Sequence, residues 1–355
     1  MEIIVSSGIL IGIALGVLLT GAAYSVYLER KVSALIQQRV GPNRVGPFGL
    51  LQPLADVIKL LLKEDVTPHA SDKLVHFLAP IVAVTISLVI MAVIPFSGAN
   101  PLTEVVGDPL IIADVNIGIL YVLSIASVAV YGVTLAGWSS NSKYALLGGL
   151  RSSAQMISYE LAMGLSVVSV ILLTNLNYEG AGDFLKLSSI VEAQRGVWNI
   201  FINPLGFLIF LTCSFAEANR APFDLVEAEQ ELVGGFHTEY SSMKFALFFV
   251  AEYIHVIIAS AIITTLFFGG YLVPFESYLW LDASNEILMM FVGLGAFLFK
   301  TVFFVFVFVW VRWTLPRFKY NQLMDLGWKR LLPLSLVNLF IIALVIAILV
   351  SGNYL

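Results

Sequence analysis

Eight separate stretches of this chain run apolar for close to twenty residues each, and few architectures can accommodate that. They are Gly8–Leu28, Phe77–Pro95, Val115–Trp138, Ser152–Thr174, Ile200–Glu217, Met243–Phe268, Ile287–Val311 and Leu331–Ser351. A bilayer's hydrocarbon core is about 30 Å thick and an α-helix rises about 1.5 Å per residue, so roughly 20 apolar residues span it. The pattern predicts an all-α integral membrane protein, a single membrane domain over 1–355 with a bundle of about eight transmembrane helices. Composition agrees: 59% of the 355 residues are hydrophobic, 12% are charged, and the mean hydropathy is +0.92. A soluble domain carries roughly 25% charged residues. The first residues, MEIIVSSGIL, lack a basic run and a small-residue cleavage site, which predicts a retained helix rather than a signal peptide.

Several function classes drop out at this level. The net charge is −5 and no basic stripe exists to neutralise phosphates, so a nucleic-acid partner is not expected. Cys213 is the only cysteine, too few for a disulfide, a Cys-ligated iron–sulfur cluster or a tetrathiolate zinc site within the chain. Of the histidines, His69 and His76 flank one surface, His237 lies in a loop, and only His255 is well inside a span. Bis-His haem ligation needs facing pairs within spans. No metal site and no resident redox cofactor are therefore expected. No internal repeat is evident, which removes the inverted-repeat signature of many secondary transporters.

Lysine and arginine set the expected orientation. With the N-terminus outside, the inner connections are 29–76, 139–151, 218–244 and 312–330. They hold all of the 19 Lys and Arg residues except Lys186, Arg195 and Lys300. The positive-inside rule then places those four connections in the cytoplasm. The six tryptophans (138, 198, 280, 310, 313 and 328) fall at or near span ends, where interfacial anchors belong.

The inner connections carry most of the information. In the first, GPNRVGPFG (41–49) is too dense in Gly and Pro for a helix and must turn repeatedly. Leu50–Lys63 then sets Gln52, Asp56, Lys59 and Lys63 on one helical face, with Leu51, Leu54, Ile58, Leu61 and Leu62 around the remainder. A helix of this length reaches only ~21 Å, so it is expected to lie in the membrane interface. It either caps the bundle or borders an opening for a lipid-soluble ligand, with Arg30, Arg39 and Arg44 as polar groups beside it.

Ionisable groups within the spans are costly, on the order of 2.5–3.5 kcal/mol each at a helix centre. Glu160, Glu252 and Lys300 are of this kind, and Glu217 ends the fifth span. They mark either a functional site or a buried pair, Lys300 with Glu160 or Glu252, that fixes helix register. The third inner connection, FAEANRAPFDLVEAEQELVGGFHTEY (215–240), sets Glu217, Asp224, Glu227, Glu229, Glu231 and Glu239 against a single Arg220. Crowded carboxylates raise one another's pKa values, so this loop either handles protons or docks a basic partner.

Taken together, the stretches 27–64, 138–160, 215–253 and 308–329 resemble the quinone-chamber membrane subunit of bacterial NADH:quinone oxidoreductase, respiratory complex I, whose mitochondrial counterpart is NADH dehydrogenase subunit one. The resemblance covers about a third of the residues strictly and orders nearly all of the chain. It implies a non-autonomous subunit of a proton-translocating enzyme. Such a subunit docks on a hydrophilic arm whose subunits carry FMN and iron–sulfur clusters, the terminal cluster nearest, and it walls the chamber that quinone enters. It also begins a row of carboxylates leading, beside small membrane subunits, towards antiporter-like subunits. Glu29, Arg30, Arg39 and Asp56 match positions at that chamber, with Arg44 and Phe223 placed beside them. Glu160, Glu217, Glu227, Glu229, Glu231 and Glu252 match the acidic row, with Lys300 added to it. Quinone is then the substrate, no cofactor belongs to this chain, and a bacterial plasma membrane is the expected location ahead of an organelle inner membrane. One departure is NQLM (321–324) in place of DQLM, with Asp325 close by. The rival readings are a hydrogenase-type membrane subunit, a stand-alone ion-coupled transporter and a structural anchor.

Overall fold

The computed structural model describes residues 2–100, 109–177, 183–225, 234–274 and 286–351. Its regular structure is helical, and the one β pairing among the described residues is an isolated bridge between Ser97 and Leu110. The helices are α1 (Glu2–Ile36), α2 (Gln52–Leu62), α3 (Lys73–Ile90), α4 (Gly118–Ser139), α5 (Lys143–Asn177), α6 (Leu187–Glu192) and α7 (Asn199–Ile202). They continue with α8 (Pro204–Glu217), α9 (Ser242–Phe267), α10 (Glu286–Thr314), α11 (Tyr320–Asp325) and α12 (Leu332–Ser351). Six residues of π-helix, Leu326–Leu331, join α11 to α12 without a break.

Seven segments among the described residues are long and apolar enough to cross a membrane, and the chain is an all-α integral membrane protein. The fifth expected span differs in form. It is interrupted at Asn203, leaving α8 with 14 residues, or about 21 Å. Pro204 supplies no N–H at the first helical position, and the Asn203 side chain accepts from Gly206 N at 2.9 Å, so the break is capped. A span count by apolar content passes over the break, because it averages Asn203 and Pro204 into an otherwise apolar run.

α5 and α9 form the centre. α5 packs on α4, α8 and α12, while α9 packs on α1, α3 and α10. The α4–α5 crossing is close because Gly137 faces Ala145 and Gly149: a Cβ on Gly137 would lie 2.6 Å from the Ala145 carbonyl oxygen. Small residues that admit close backbone approach are the usual means of helix association in lipid. α1 and α12 keep most of their apolar surface on the outside, with Phe340 72% exposed, as lipid-facing helices do.

α2 is helical over 52–62, carries no buried residue, and leaves Leu54, Val57, Ile58, Leu61 and Leu62 exposed. Before it, Gly49 takes φ +82° with a position where a Cβ would meet the Pro42 carbonyl oxygen at 2.3 Å, so only glycine closes this turn.

Candidate functional site

One end of the bundle gathers charge that the sequence scatters over nearly 300 positions. Glu29 on α1 is 7% exposed. Its carboxylate accepts from Arg312 Nη1 of α10 at 2.6 Å, from Tyr253 Oη of α9 at 2.8 Å, and from Arg220 Nη1 at 3.2 Å. Arg220 lies in the turn after α8. Its Nε stands 2.9 Å from Glu252 Oε1, and its guanidinium stacks over the Tyr253 ring at 4.2 Å. Burial alone would lower the Arg220 pKa; Glu252, Tyr253 and Glu29 outweigh it and hold the guanidinium charged. Two carboxylates and two guanidiniums thus neutralise one another, with Glu29 and Arg220 buried and Glu252 and Arg312 partly exposed, and pairing is the condition under which buried charge is tolerated.

Beside this cluster the turn 220–225 is fixed to the chain's other arms. Asp224, 2% exposed, accepts from Arg317 Nη2 at 2.9 Å. Phe223 is buried between Tyr159 and Phe318, with ring centroids 5.3 and 5.5 Å away. On the exposed side, Arg30 donates to Asp56 Oδ2 at 2.7 Å, and Gln52 donates to Asp56 Oδ1 at 3.0 Å. These contacts tie the end of α1 to α2. Arg39 is exposed, donating to Gln37 Oε1 at 2.6 Å, and Arg44 is exposed in the Gly/Pro loop. Phe48 in that loop is 81% exposed and sits at φ +54°.

A cleft of about 80 Å³ opens from here into the bundle, lined by Glu217, Glu252, His237, His255, Asn219 and aromatic side chains. Glu217 Oε1 lies 3.6 Å from His255 Nε2. Glu160 on α5 is partly buried and is hydrogen-bonded by the Ser127 hydroxyl of α4. Tyr240 stacks on His76 with centroids 3.9 Å apart; burial pushes its phenol up to about 12, so it is neutral at physiological pH.

The expected site residues therefore fall into groups. Glu29 and Glu252 share one ion cluster, Glu217 and Glu252 share the cleft, and Arg30 pairs with Asp56 at its outer border. Arg39 and Arg44 lie outside these groups. Glu227, Glu229 and Glu231 lie outside the described residues. Among the described residues, Lys300 stands apart from every expected acid. Its ammonium donates to the carbonyls of Phe268, Gly270 and Leu272 at 2.8, 2.9 and 2.6 Å, and it sits 4.6 Å over the Trp198 ring. Phe268 is roughly 24 Å along α9 from Glu252 at 1.5 Å per residue, so the Lys300–Glu252 pair does not form. Lys300 instead caps the far end of α9, where a cation complements the helix dipole.

Sequence reasoning missed Arg312, Arg317, Tyr253 and His255 as members of the site. Arg220 was the available signal, as the one cation among six acids in its loop. His255 had another, as the one histidine deep within a span.

The match to known proteins decides the family. The model of the family described as NADH dehydrogenase matches residues 9–343. The chain belongs to the NADH dehydrogenase family. It is 55% identical over 339 residues to NADH-quinone oxidoreductase subunit 8 of Rhodothermus marinus, covering 93% of this chain and 94% of that one. It is also 53% identical over 343 residues to an NADH-quinone oxidoreductase subunit of Salinibacter ruber, covering 94% and 93%. The like-named NADH-quinone oxidoreductase subunit of Leptospira biflexa is 52% identical over 329 residues, with 90% and 89% covered. These matches bear out the resemblance drawn from the sequence.

Proposed function

We propose that this chain is the membrane subunit of an NADH-quinone oxidoreductase that walls the quinone chamber and begins the path coupling quinone reduction to proton transfer. The observation that carries the reading is the cleft lined by Glu217 and Glu252, continuous through Glu252 with the buried Glu29–Arg220–Arg312 cluster. Quinone reduction requires negative charge or protons at the headgroup. The cleft has two carboxylates able to answer that demand, in a setting where low dielectric strengthens each charge interaction. Electrons come from hydrophilic partner subunits, FMN and iron–sulfur clusters supplying the redox chemistry there. Arg30, Asp56 and the loop 37–51 form the chamber's outer side, with α2 lying on the membrane surface. The inner connections face the cytoplasm of a bacterial cell, and the neighbouring membrane subunits receive the signal from the acidic row.

In this mechanism the appearance of charge on the bound quinone shifts the protonation of Glu252 and Glu217, and the change passes inward to Glu160. The test is Glu217→Gln in the intact complex, reconstituted in liposomes with assembly verified. Coupled proton pumping and NADH:quinone reductase turnover are expected to fall together. Normal pumping in that variant removes Glu217 from the path, and ion transport by the isolated chain would favour a stand-alone transporter.

A further inference from the structure

Glu217 and His255 line two spaces at once. One is the cleft shared with Glu252. The other is a deeper pocket of about 20 Å³, room for about one water, walled by side chains such as Ile90, Val122, Met163, Phe210 and Ile262. Among the described residues, the polar side chains on the deeper pocket are Glu217, His255 and Ser214, and the Ser214 hydroxyl already donates to the Phe210 carbonyl at 2.9 Å. Glu160 lies on α5 between cleft-lining Met156 and pocket-lining Met163, about one helical turn from each, and is bonded to Ser127. A proton that leaves the cleft by way of the deeper pocket passes the Glu217–His255 pair and then an apolar gap. A cavity of that kind is dry unless water finds two to four polar partners within it.

We propose that His255 is a proton-handling residue of this chain, and that its pair with Glu217 gates the apolar pocket. The inference rests on the coupling role assigned above. The 3.6 Å separation is just beyond a hydrogen bond, so a small side-chain adjustment closes it. The proton on Glu217 Oε1 moves to His255 Nε2, leaving a carboxylate and an imidazolium. That charge pair supplies the donors and acceptors that water in the pocket otherwise lacks, and the imidazolium N–H passes the proton on through that water towards Glu160. With the pair neutral, the pocket is dry and the path is shut. The ionisable groups facing His255 among the described residues are Glu217 from α8, Glu252 from its own helix, and His237 from the loop before α9. α3 and α4 present Ser87 and apolar groups there, and α5 presents Met156 and Met163.

The test uses the whole complex in liposomes, with proton pumping and quinone reductase turnover followed from about pH 5.5 to 8.5. The wild type is compared with His255→Gln, His255→Asn, Glu217→Gln and the double variant Glu217→Gln/His255→Gln. Each His255 variant is expected to lower pumping on the order of a hundred-fold, the modest end for a positioned proton-transfer group, and to flatten its pH dependence. The double variant is expected to match Glu217→Gln alone, since two members of one relay do not add. Wild-type pH profiles in both His255 variants, or losses that add in the double, overturn the gate while leaving the acidic row intact. Normal pumping in Glu217→Gln overturns the coupling reading itself.

Discussion

Lys300 is a residue whose partners no sequence spacing displays. In the sequence it is an isolated cation in the middle of a span, and pairing it with an acid is the economical reading. In the structure its ammonium closes over three carbonyls where α9 ends and the backbone leaves the helix, with Gly269 and Gly270 at φ +67° and +50°. Lys300→Met preserves the stem and strands those carbonyls. Bonds to a charged group contribute about 1.5–3 kcal/mol each and a stranded acceptor costs about 1–3, so a loss on the order of 3 kcal/mol is expected. It should appear as a lower unfolding temperature of the purified complex, with an unchanged proton-to-electron ratio in what remains folded. A changed ratio at an unchanged unfolding temperature would place Lys300 in the coupling row instead. Glu29 teaches the same lesson from the other side: its position at the first inner loop was readable, but Arg220, Arg312 and Tyr253 reach it from 191, 283 and 224 residues away.

Among the elements, α2 was the most legible. Its polar spacing predicts an amphipathic helix over 50–63 whatever surrounds it, and the helix forms over 52–62. The long spans were legible for a related reason, since the bilayer imposes length and apolarity on each helix separately. α7 and α8 were read as one span because the break depends on an asparagine cap, a feature apolar content does not register. Helix crossings were not legible at all. Gly137 and Gly164 look alike in sequence, yet a Cβ on Gly137 would meet Ala145 O at 2.6 Å and one on Gly164 would meet nothing within 4 Å. Gly137→Leu is therefore expected to force α4 from α5 and abolish assembly of the subunit, while Gly164→Ala assembles as the wild type. Native gels of membranes expressing each variant decide this, and equal assembly of the two would contradict the close crossing.

For the molecule as a whole, the buried charge lies at one end, where the Glu29–Arg220–Glu252–Arg312 cluster draws in α1, α9, α10 and the turn after α8. The opposite end of α9 is closed by the Lys300 cap. The cleft begins beside the cluster and reaches Glu217 and His255, so a charge placed near Arg220 has a short polar route into the bundle and an apolar pocket beyond it. The quinone site and acidic row proposed above would use this asymmetry. The most direct check is to photolabel the intact complex with an azido-quinone in the presence of NADH and map the label by peptide sequencing. The label is expected on this chain, in the segments 29–63 and 215–253, and to be displaced by unmodified quinone. Displaceable label confined to other subunits would contradict the assignment of the chamber to this chain.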